Sequence, residues 1–480
     1  MKKSDNYKLP SLKDAVRRRR DPEAEQKEEF SLPLECKDLG KGKTFYIRTH
    51  GCQANEHDSE TMSGILKEMG YVVVDEAKDA DLIIVNTCAI RQNAEEKVFG
   101  EFGAFMEYKR KNPDLIIGMC GCMAQEEKTV ERVLTTYPQV NLIFGTHNIY
   151  RLPELLYKAY HTDHKTVEVI SGQAEVVEGM PASRKDKHKA WVHIMYGCDK
   201  FCTYCIVPYT RGKERSRRIG DIVKEVKALK DEGYKEICLL GQNVNAYGLD
   251  LDMQHGFADL LEACALTGIE RIRFMTSHPR NFDEETIDII AKYPNIMPQI
   301  HLPVQSGSSA ILKKMNRGYD RERYLSLFDE IKAKVPGACF TTDIIVGFPN
   351  ETEEEFEETL TLYDHCQFDN AYTFIYSPRI GTPAAAMEDE ISQEEKEKRL
   401  LRLNEKVKYY AHMHNEKYQN QIVEVLVDGF SKKDKNVYAG YTKGGKLVNF
   451  TANHAEVGEL CNVKINVCHS FSFNGEKVED

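Results

Sequence analysis

The sequence predicts a multidomain α/β protein with an N-terminal parallel α/β sandwich, a central incomplete (β/α)₆ barrel and a small C-terminal β-barrel. Its length of 480 residues, at roughly 150 residues per domain, allows about three domains. Strand-like and helical segments alternate along two long stretches, which is typical of parallel sheets. The last stretch contains only short strand-like segments with glycine-rich turns, which indicates a closed all-β unit.

The first domain is predicted at residues 44–162, after a charged arm. Residues 1–43 are polar and rich in Lys, Arg and Glu, so we expect them to be mostly disordered. The arginine run at residues 17–20 is typical of a solvated tail, with a weak RNA-binding arm as the alternative. From Thr44 onward, β-rich segments separated by helices predict a parallel sheet with helices on both faces.

The central domain is predicted at residues 184–417. Six strand candidates alternate with helices after Trp191, which predicts an incomplete barrel with its chemistry at the carboxyl ends of its strands. Ser392 and Glu395 have the spacing of a helix cap that opens a long charged helix. Residues 418–480 then form the predicted small β-barrel.

Composition limits where the protein works and what it binds. No apolar run approaches the roughly 18 residues that span a bilayer, and the N-terminal region has no apolar signal segment, so we expect a cytoplasmic protein without a membrane partner. In a reducing compartment, 14 cysteines favour metal ligation over disulfides. A net charge of −11 argues against a protein that coats nucleic acid along its whole surface, so any contact with nucleic acid is expected at local basic patches.

The strongest local motif is Cys198-x3-Cys202-x2-Cys205, here called the barrel triplet, which directly follows the first barrel strand. Three thiolates at this spacing can bind three irons of a [4Fe–4S] cubane and leave the fourth iron open. A structural zinc site, with His193 or a distant cysteine as the fourth ligand, is the alternative. Its place at the mouth of a βα barrel favours the cluster.

At this position the motif resembles that of the radical S-adenosylmethionine (SAM) superfamily. The resemblance implies that the open iron chelates SAM and that an electron from the cluster cleaves SAM to a 5′-deoxyadenosyl radical. It also implies SAM-binding residues in the loops after later barrel strands. These residues are Gly241, Gln242, Asn243, Ser277, His278, Gln305, Val346 and Gly347.

A second set of cysteines, here called the first-domain triplet, consists of Cys52, Cys88 and Cys122. Each follows a predicted parallel strand, and the carboxyl ends of such strands meet at one edge of a sheet. Three convergent thiols again indicate a cluster with an open iron, whereas three unrelated buried cysteines are the alternative. Cys120 competes with Cys122 for the third position, and we favour Cys122 because Cys120 falls within or just after the strand.

The whole arrangement from about Thr44 resembles the methylthiotransferases, and several motifs are most similar to the MiaB branch. These motifs are Arg211–Arg217, Gly241–Gly248, Ser277–Pro279 and His301–Gly307. The resemblance implies insertion of a methylthio group at C2 of N6-isopentenyladenosine next to the tRNA anticodon, at position 37. It also implies two SAM molecules, two [4Fe–4S] clusters and a monomer that takes electrons from a flavodoxin or ferredoxin, with an unknown sulfur donor.

Three other functions remain open from the sequence. A methylthiotransferase could instead act on threonylcarbamoyladenosine in tRNA or on an aspartate of a ribosomal protein. A non-catalytic metal-binding RNA adaptor would carry the same cysteines without the chemistry. The resemblance to the MiaB branch favours N6-isopentenyladenosine in tRNA as the substrate.

Two regions are predicted to contact RNA. A basic loop after the barrel triplet suits phosphates, although the charged start of a helix is the alternative. It contains Arg211, Lys213, Arg215, Arg217 and Arg218. The C-terminal domain resembles the RNA-binding TRAM β-barrel, with a barrel that serves stability alone as the alternative. Its candidate contacts are Lys432, Lys433, Lys435, Lys443 and Lys446, with Tyr438, Tyr441 and Phe450 as stacking surfaces.

Overall fold

The N-terminal sheet has six parallel strands in the order β2-β1-β3-β4-β5-β6. The computed structural model describes residues 29–89, 92–170 and 176–478. Within it, the strands of this sheet are β1 (Thr44–Thr49), β2 (Val72–Val73), β3 (Leu82–Thr87), β4 (Ile116–Gly121), β5 (Leu142–Phe144) and β6 (Thr166–Glu168). The predicted parallel sheet is therefore confirmed, with β1, β3 and β4 adjacent to one another.

Helices cover both faces of this sheet. They are α1 (Gln53–Glu68), α2 (Gln92–Lys111), α3 (Glu127–Thr136) and α4 (Leu152–His161). Leu82 and Ile84 of β3 belong to the apolar core on the side of α1 and α4, whereas Ile83 and Val85 belong to the core on the side of α2 and α3. A central parallel strand buried on both faces explains why β3 is an unbroken apolar run apart from its last two residues.

The segment before β1 differs from the prediction of a disordered arm. Residues 1–28 of that predicted arm lie outside the described part of the chain. In residues 29–43, Cys36 is fully buried, and Phe30, Leu32 and Leu39 pack against the same apolar core as α1 and α4. The expectation of disorder is therefore wrong for residues 29–43, because their scattered apolar side chains cover one face of the sheet.

The central domain contains six parallel strands in two adjoining sheets of three. Their orders are β11-β10-β7 and β12-β13-β14, and a parallel bridge pairs Ile272 of β11 with Ile296, which lies just before β12. The strands are β7 (Lys189–His193), β10 (Glu236–Leu240), β11 (Arg271–Phe274), β12 (Gln299–His301), β13 (Cys339–Val346) and β14 (Asn370–Ile375). This arrangement confirms the predicted incomplete barrel, which is open beside β14.

The remaining elements of this region are helices and one short hairpin. The hairpin pairs β8 (Met195–Tyr196) with β9 (Arg215–Ser216) in antiparallel orientation. The helices are α5 (Val207–Thr210), α6 (Ile219–Asp231), α7 (Gly256–Ala265), α8 (Glu284–Lys292), α9 (Ser309–Lys314), α10 (Arg321–Lys334), α11 (Glu353–Cys366) and α12 (Gln393–Glu416). As predicted, the Ser392 hydroxyl caps α12, accepting the backbone N–H of Glu395 at 3.2 Å.

The C-terminal strands form a closed barrel in the order β15-β16-β17-β19-β18. They are β15 (Ile422–Phe430), β16 (Tyr438–Thr442), β17 (Leu447–Thr451), β18 (Leu460–Cys468) and β19 (Phe473–Lys477). Its core contains Val425, Val448, Val463 and Phe473, all fully buried. The predicted small C-terminal β-barrel is confirmed.

This small barrel packs against the amino-terminal ends of the central strands. Arg271, the first residue of β11, is fully buried and donates to the carbonyl oxygen of Tyr441 at 2.9 Å. Arg273 donates to the carbonyl oxygen of Thr442 at 2.8 Å. Lys189, the first residue of β7, forms an ion pair with Asp428 of β15. The small barrel therefore closes the end of the incomplete barrel that is opposite to the carboxyl edge.

The chain divides into two compact units. One contains the described residues up to 185 together with 195–201 and 205–217, and the other contains 186–194, 202–204 and the described residues from 218 onward. The loop of the barrel triplet contributes to both units, so the division into four segments made from the sequence stays a prediction. Within the described residues, no helix is long and apolar enough to cross a membrane.

Candidate active site

The first-domain triplet lies at one edge of the N-terminal sheet. Cys52 caps the start of α1 after β1, Cys88 directly follows β3, and Cys122 directly follows β4. Because β1, β3 and β4 are adjacent and parallel, their carboxyl ends bring the three cysteines to the same edge. Burial and, to a smaller extent, the nearby Cys52 side chain raise the pKa of the Cys122 thiol, so these two side chains lie near each other.

Buried amides hold the loops that carry these cysteines. Asn55 of α1 donates to the Asn86 side chain at 3.0 Å and to the Thr87 carbonyl oxygen at 3.1 Å. Gly121 has φ +91°, and a Cβ atom there would lie 2.3 Å from the carbonyl oxygen of Thr87. Only glycine therefore permits this close approach of β4 to the end of β3 just before Cys122.

Arg211 is buried beside the first-domain triplet. Its guanidinium donates to Oδ2 of Asp58 at 2.8 Å, and both side chains are almost fully enclosed. Burial raises the pKa of the Cys122 thiol, while the Arg211 guanidinium beside it acts in the opposite direction. The positive charge of Arg211 thus lies where deprotonated thiolates would need it.

The structure separates Cys120 from Cys122. Cys120 lies inside β4, where its sulfur contacts Sδ of Met62 at 3.7 Å in the apolar core. Burial raises the pKa of the Cys120 thiol well above its ordinary value, which suits a packing role. Cys122 instead packs against Ile206 and Tyr209. This difference favours Cys122 as the third thiol of the set.

The same contacts bring the end of the barrel triplet, at Cys205, close to Cys122 within one compact unit. Ile206 directly follows Cys205, and it shares an apolar cluster with Cys122, Ala89 and Tyr209. The charge of Cys205 acts on the Tyr209 hydroxyl. The last cysteine of the barrel triplet is therefore next in the chain to a residue that touches the first-domain triplet.

Close contacts with the backbone at Gly212 and Lys213 hold the start of the barrel-triplet loop. Cys198 donates its backbone N–H to the carbonyl oxygen of Gly212 at 3.0 Å. A Cβ atom at Gly197, which has φ +75°, would lie 2.1 Å from the carbonyl oxygen of Lys213. Phe201 has φ +44°, a left-handed conformation that is costly for an aromatic residue. The loop is thus forced into one tight conformation.

Arg317 lies beside the second cysteine of the barrel triplet. Its Nη1 lies 3.4 Å from the sulfur of Cys202, and its Nη2 donates to the carbonyl oxygen of Pro303 at 3.0 Å. Burial lowers the pKa of the Arg317 guanidinium, but the neighbouring Tyr204, Tyr319 and Cys202 side chains act in the opposite direction and hold it above its ordinary value. The sequence analysis did not identify Arg317, because a lone arginine in a short turn carries no local signal.

The predicted SAM-binding residues lie at the carboxyl ends of the central strands, as expected. Gly241, Gln242 and Asn243 follow β10, Ser277 and His278 follow β11, Gln305 follows β12, Val346 ends β13, and Gly347 comes directly after it. Oδ1 of Asn243 and Oγ of Ser277 are buried without a hydrogen-bond partner in the described part of the chain. Since buried polar atoms are nearly always bonded, these two atoms suit a polar ligand such as the amino-acid part of SAM.

Gly347 makes a close turn after β13. Its φ is +67°, and a Cβ atom there would lie 2.5 Å from Cγ of Lys396. Its backbone N–H donates to Oε2 of Glu351 at 2.7 Å. Gln305 also has a positive φ, of +70°. These strained positions at the carboxyl edge are typical of ligand sites.

Two of the five residues predicted for RNA phosphates need correction. Arg211 is buried against Asp58, and Arg217 is buried with two hydrogen bonds to Glu178 at 2.7 and 2.6 Å. Their charges are used inside the protein, so neither suits a phosphate. Arg215 lies partly buried over the ring of Tyr196. The remaining two are the partly exposed Lys213 and the exposed Arg218.

The candidate RNA contacts of the C-terminal barrel also include both buried or paired residues and exposed ones. Lys446 pairs with Asp369 at 2.7 Å, and Phe450 is 1% exposed in the barrel core, so neither offers an RNA-binding surface. Lys432, Lys433 and Lys435 are exposed. They follow Phe430, whose half-exposed ring stacks on Tyr438 with ring centroids 4.9 Å apart.

Comparisons with known proteins place the chain in a family. A model described as the radical SAM superfamily matches residues 192–363, and one described as uncharacterized protein family UPF0004 matches residues 44–145. A radical SAM methyltransferase, TsrM from Kitasatospora setae, shares the fold at 16% identity, with a TM-score of 0.54, over 72% of this chain and 77% of that one.

Full-length relatives are far more similar. The tRNA-2-methylthio-N(6)-dimethylallyladenosine synthase of Bacillus licheniformis is 56% identical over 98% of this chain and 93% of that protein. The enzyme of the same name from Bacillus subtilis is 55% identical over the same shares. The other methylthiotransferase targets and the non-catalytic adaptor receive no support. The chain belongs to the family of tRNA-2-methylthio-N(6)-dimethylallyladenosine synthases, radical SAM enzymes that modify tRNA with SAM and iron–sulfur clusters.

Proposed function

We propose that the two cysteine triplets divide the reaction between them. Each holds one [4Fe–4S] cluster by three thiolates and leaves one iron open. Cys198, Cys202 and Cys205 would hold the cluster that binds SAM, and Cys52, Cys88 and Cys122 would hold the cluster that supplies the sulfur to be transferred. The methylthio group goes to C2 of N6-isopentenyladenosine at position 37 of tRNA.

The observation that carries this proposal is the position of Cys122. Cys122 lies at the same sheet edge as Cys52 and Cys88, and it packs against Ile206, the residue after Cys205. Sulfur transfer to a carbon activated by SAM needs the two centres close together. A contact between the surroundings of the two triplets supplies that closeness.

The bound groups supply one-electron chemistry that can open the unreactive C2–H bond of adenine, and the protein supplies charge and position. Arg211, held by Asp58, places a positive charge beside the thiolates of the first-domain triplet. Arg317 does the same beside Cys202. Asn243 and Ser277 offer buried polar atoms to the amino-acid part of SAM.

The tRNA itself is held by exposed cations. We assign this role to Lys213 and Arg218 of the basic loop and to Lys432, Lys433 and Lys435 of the C-terminal barrel, because these side chains are open to solvent at least in part. Phosphate contacts of this kind contribute affinity through counterion release. The half-exposed Phe430 beside them offers a face on which a base can stack.

We also propose that the enzyme acts as a monomer in the cytoplasm and receives electrons from a flavodoxin or ferredoxin. Every described cysteine, including both triplets, is free of disulfide bonds, which fits a reducing compartment. Reduction of the clusters would require an external donor, because each reductive cleavage of SAM uses one electron from the cluster.

Two triple variants test the division of labour. Alanine at Cys198, Cys202 and Cys205 should abolish reductive SAM cleavage, since no open iron remains to bind SAM. Alanine at Cys52, Cys88 and Cys122 should preserve SAM cleavage and abolish the methylthio nucleoside. The assay measures both products by mass spectrometry from the reconstituted enzyme and tRNA.

Cys120 offers a matched control for the second variant. It is two residues from Cys122 but packs against Met62 in the core, so Cys120→Ala should form both products. The proposal is wrong if the first-domain triple variant still forms the methylthio nucleoside, or if Cys120→Ala loses it while Cys122→Ala does not.

A further inference from the structure

Two large aromatic side chains are exposed on β14, the edge strand of the incomplete barrel. Tyr372 is 50% exposed and Phe374 is 42% exposed. Between them, Thr373 donates its hydroxyl to Oδ1 of Asn404 on α12 at 2.7 Å. Because successive side chains of a strand point to opposite faces, Tyr372 and Phe374 face away from α12 and into the barrel interior.

The neighbouring strand confirms this orientation. In the parallel register, Tyr372 is opposite Asp343 and Phe374 is opposite Ile345 of β13. The ring of Tyr372 meets the ring of His301 on β12 edge to face, with centroids 6.1 Å apart. We call the surface made by Tyr372 and Phe374 the aromatic wall. It borders the open side of the barrel interior.

Polar groups adjoin the aromatic wall. His301 places Nδ1 2.9 Å from the Thr341 hydroxyl and Nε2 3.6 Å from Oδ2 of Asp343. The Asp343 side chain is partly exposed. A ligand on the wall would therefore meet two apolar rings and, next to them, a carboxylate that can accept an N–H hydrogen bond.

The aromatic wall leads toward the predicted SAM site. Ile345 belongs to an apolar cluster with Phe348 and Tyr376, which lie at the carboxyl end of β13 and just after β14. Gln305, a predicted SAM-binding residue, pairs with Ile344 of the same strand. The wall is thus continuous with the edge at which SAM would bind.

We propose that the aromatic wall binds the N6-prenylated adenine of tRNA and makes the enzyme prefer it over unmodified adenine. The inference rests on the family activity. A purine presents a flat face that stacks on aromatic rings, and the five-carbon prenyl group presents an apolar surface. Tyr372 and Phe374 lie about 7 Å apart along the strand, so one ring can contact the purine while the other contacts the prenyl group.

The aromatic wall can discriminate the prenylated adenine from unmodified adenine because unmodified adenine makes fewer contacts with it. An unmodified adenine reaches the first ring but leaves the second exposed to water, so it loses the apolar contact. The N6–H of the prenylated base remains a donor that Asp343 can accept. The wall therefore recognises both parts of the modified base.

Binding of two RNA hairpins tests the proposal. Both have the sequence of a tRNA anticodon arm, and they differ only in carrying isopentenyladenosine or adenosine at position 37. The anaerobically reconstituted enzyme should bind the prenylated hairpin about tenfold more tightly, as the loss of one ring contact predicts. The variant Tyr372→Ala/Phe374→Ala should lower that ratio to about one, with unchanged iron content.

Tyr409→Ala is the matched control, because Tyr409 is a 65% exposed aromatic residue on α12, outside the barrel interior. It should keep the wild-type ratio. If the double variant does not fold, Phe374→Ala alone should lower the ratio about threefold. A wild-type enzyme without preference, or an unchanged ratio in a folded wall variant, overturns the proposal. Because binding needs no turnover, an incorrect cluster assignment would alter the products and leave this ratio unchanged.

Discussion

The two ends of the incomplete barrel treat buried polar atoms differently. At the amino-terminal end, Arg271 and Arg273 donate to carbonyl oxygens of the small C-terminal barrel, although Nε of Arg271 has no partner in the described residues. At the carboxyl end, Asn243 and Ser277 each bury a polar atom without a partner in the described residues. The amino-terminal end therefore uses its buried arginines mainly for stability, whereas the carboxyl end keeps the polar atoms of Asn243 and Ser277 for a ligand.

Two carboxylates, the partly buried Asp428 and the buried Glu351, show the same contrast. Burial alone would raise the pKa of Asp428 at the amino-terminal end, but hydrogen bonds from His188 and Lys189 hold it at about 2. At the carboxyl end, burial raises the pKa of Glu351 to about 7, even though Gly347 and Arg399 oppose the shift. The negative charge of a carboxylate is therefore well compensated at the amino-terminal end and poorly compensated at the carboxyl end.

The largest effect is expected at the amino-terminal end. Arg271→Ala should destabilise the protein by about 3–5 kcal/mol, because it leaves buried acceptors of the small barrel without a donor. Arg402→Ala, which breaks an exposed ion-pair network with Glu353 and Glu357, should cost about 0–1 kcal/mol. Urea unfolding compares the two variants. Equal midpoints would remove the contrast between buried and exposed arginines.

Two hydroxyl deletions sharpen the comparison. Ser277→Ala should weaken SAM binding about tenfold and leave the melting temperature unchanged, because the lost hydroxyl has no hydrogen-bond partner among the described residues. Thr342→Val should lower stability by about 1–3 kcal/mol, because its hydroxyl donates to Leu302 and accepts from Val304. Calorimetric titration with SAM and thermal melting measure both. A melting temperature that falls more for Ser277→Ala than for Thr342→Val would contradict the distinction.

The outer surface of the small barrel is expected to bind RNA without supporting the fold. Replacing Lys432, Lys433 and Lys435 by alanine should reduce the salt slope of tRNA binding by up to about three units, one for each lost phosphate contact. Stability should stay unchanged, because these side chains are exposed. Deleting the whole barrel is a poorer experiment, since it would uncover Arg271. An unaltered salt slope would show that RNA is held elsewhere.

The last comparison concerns pH. Since the folded protein raises the pKa of Glu351 to about 7, its protonated form contributes stability at low pH, which is lost as pH rises toward 7. The loss amounts to about 1.4 kcal/mol per pH unit at most. Arg399 and Glu355 are the charged groups that act on it. Glu351→Gln should flatten the melting temperature between pH 5 and 7, and an unchanged pH profile would contradict the assigned pKa.

Sequence patterns located the cysteines well, because their positions depend on local order. A cysteine that follows a strand stays at the carboxyl end whatever the rest of the chain does, so the edge of Cys52, Cys88 and Cys122 was predictable. The choice between Cys120 and Cys122 became clearer only with the structure, since the turn at Gly121 directs the two side chains to different surroundings.

Charge roles were less predictable, because they depend on partners far along the chain. Arg211 was interpreted as an RNA contact, yet its partner Asp58 lies 153 residues away and turns it into a buried ion pair. Lys446 similarly pairs with Asp369, which is 77 residues distant. Arg317 was missed for the same reason. A local run of basic residues does not reveal which charges the fold will bury.

Iron analysis tests the two-cluster assignment most directly. After anaerobic reconstitution, the enzyme should contain about eight irons per chain, and each triple alanine variant should contain about four. Mössbauer spectroscopy should then show the same cubane type in both variants. An iron content that stays at about eight after Cys52, Cys88 and Cys122 are replaced would contradict the account, because the first-domain triplet would then hold no cluster.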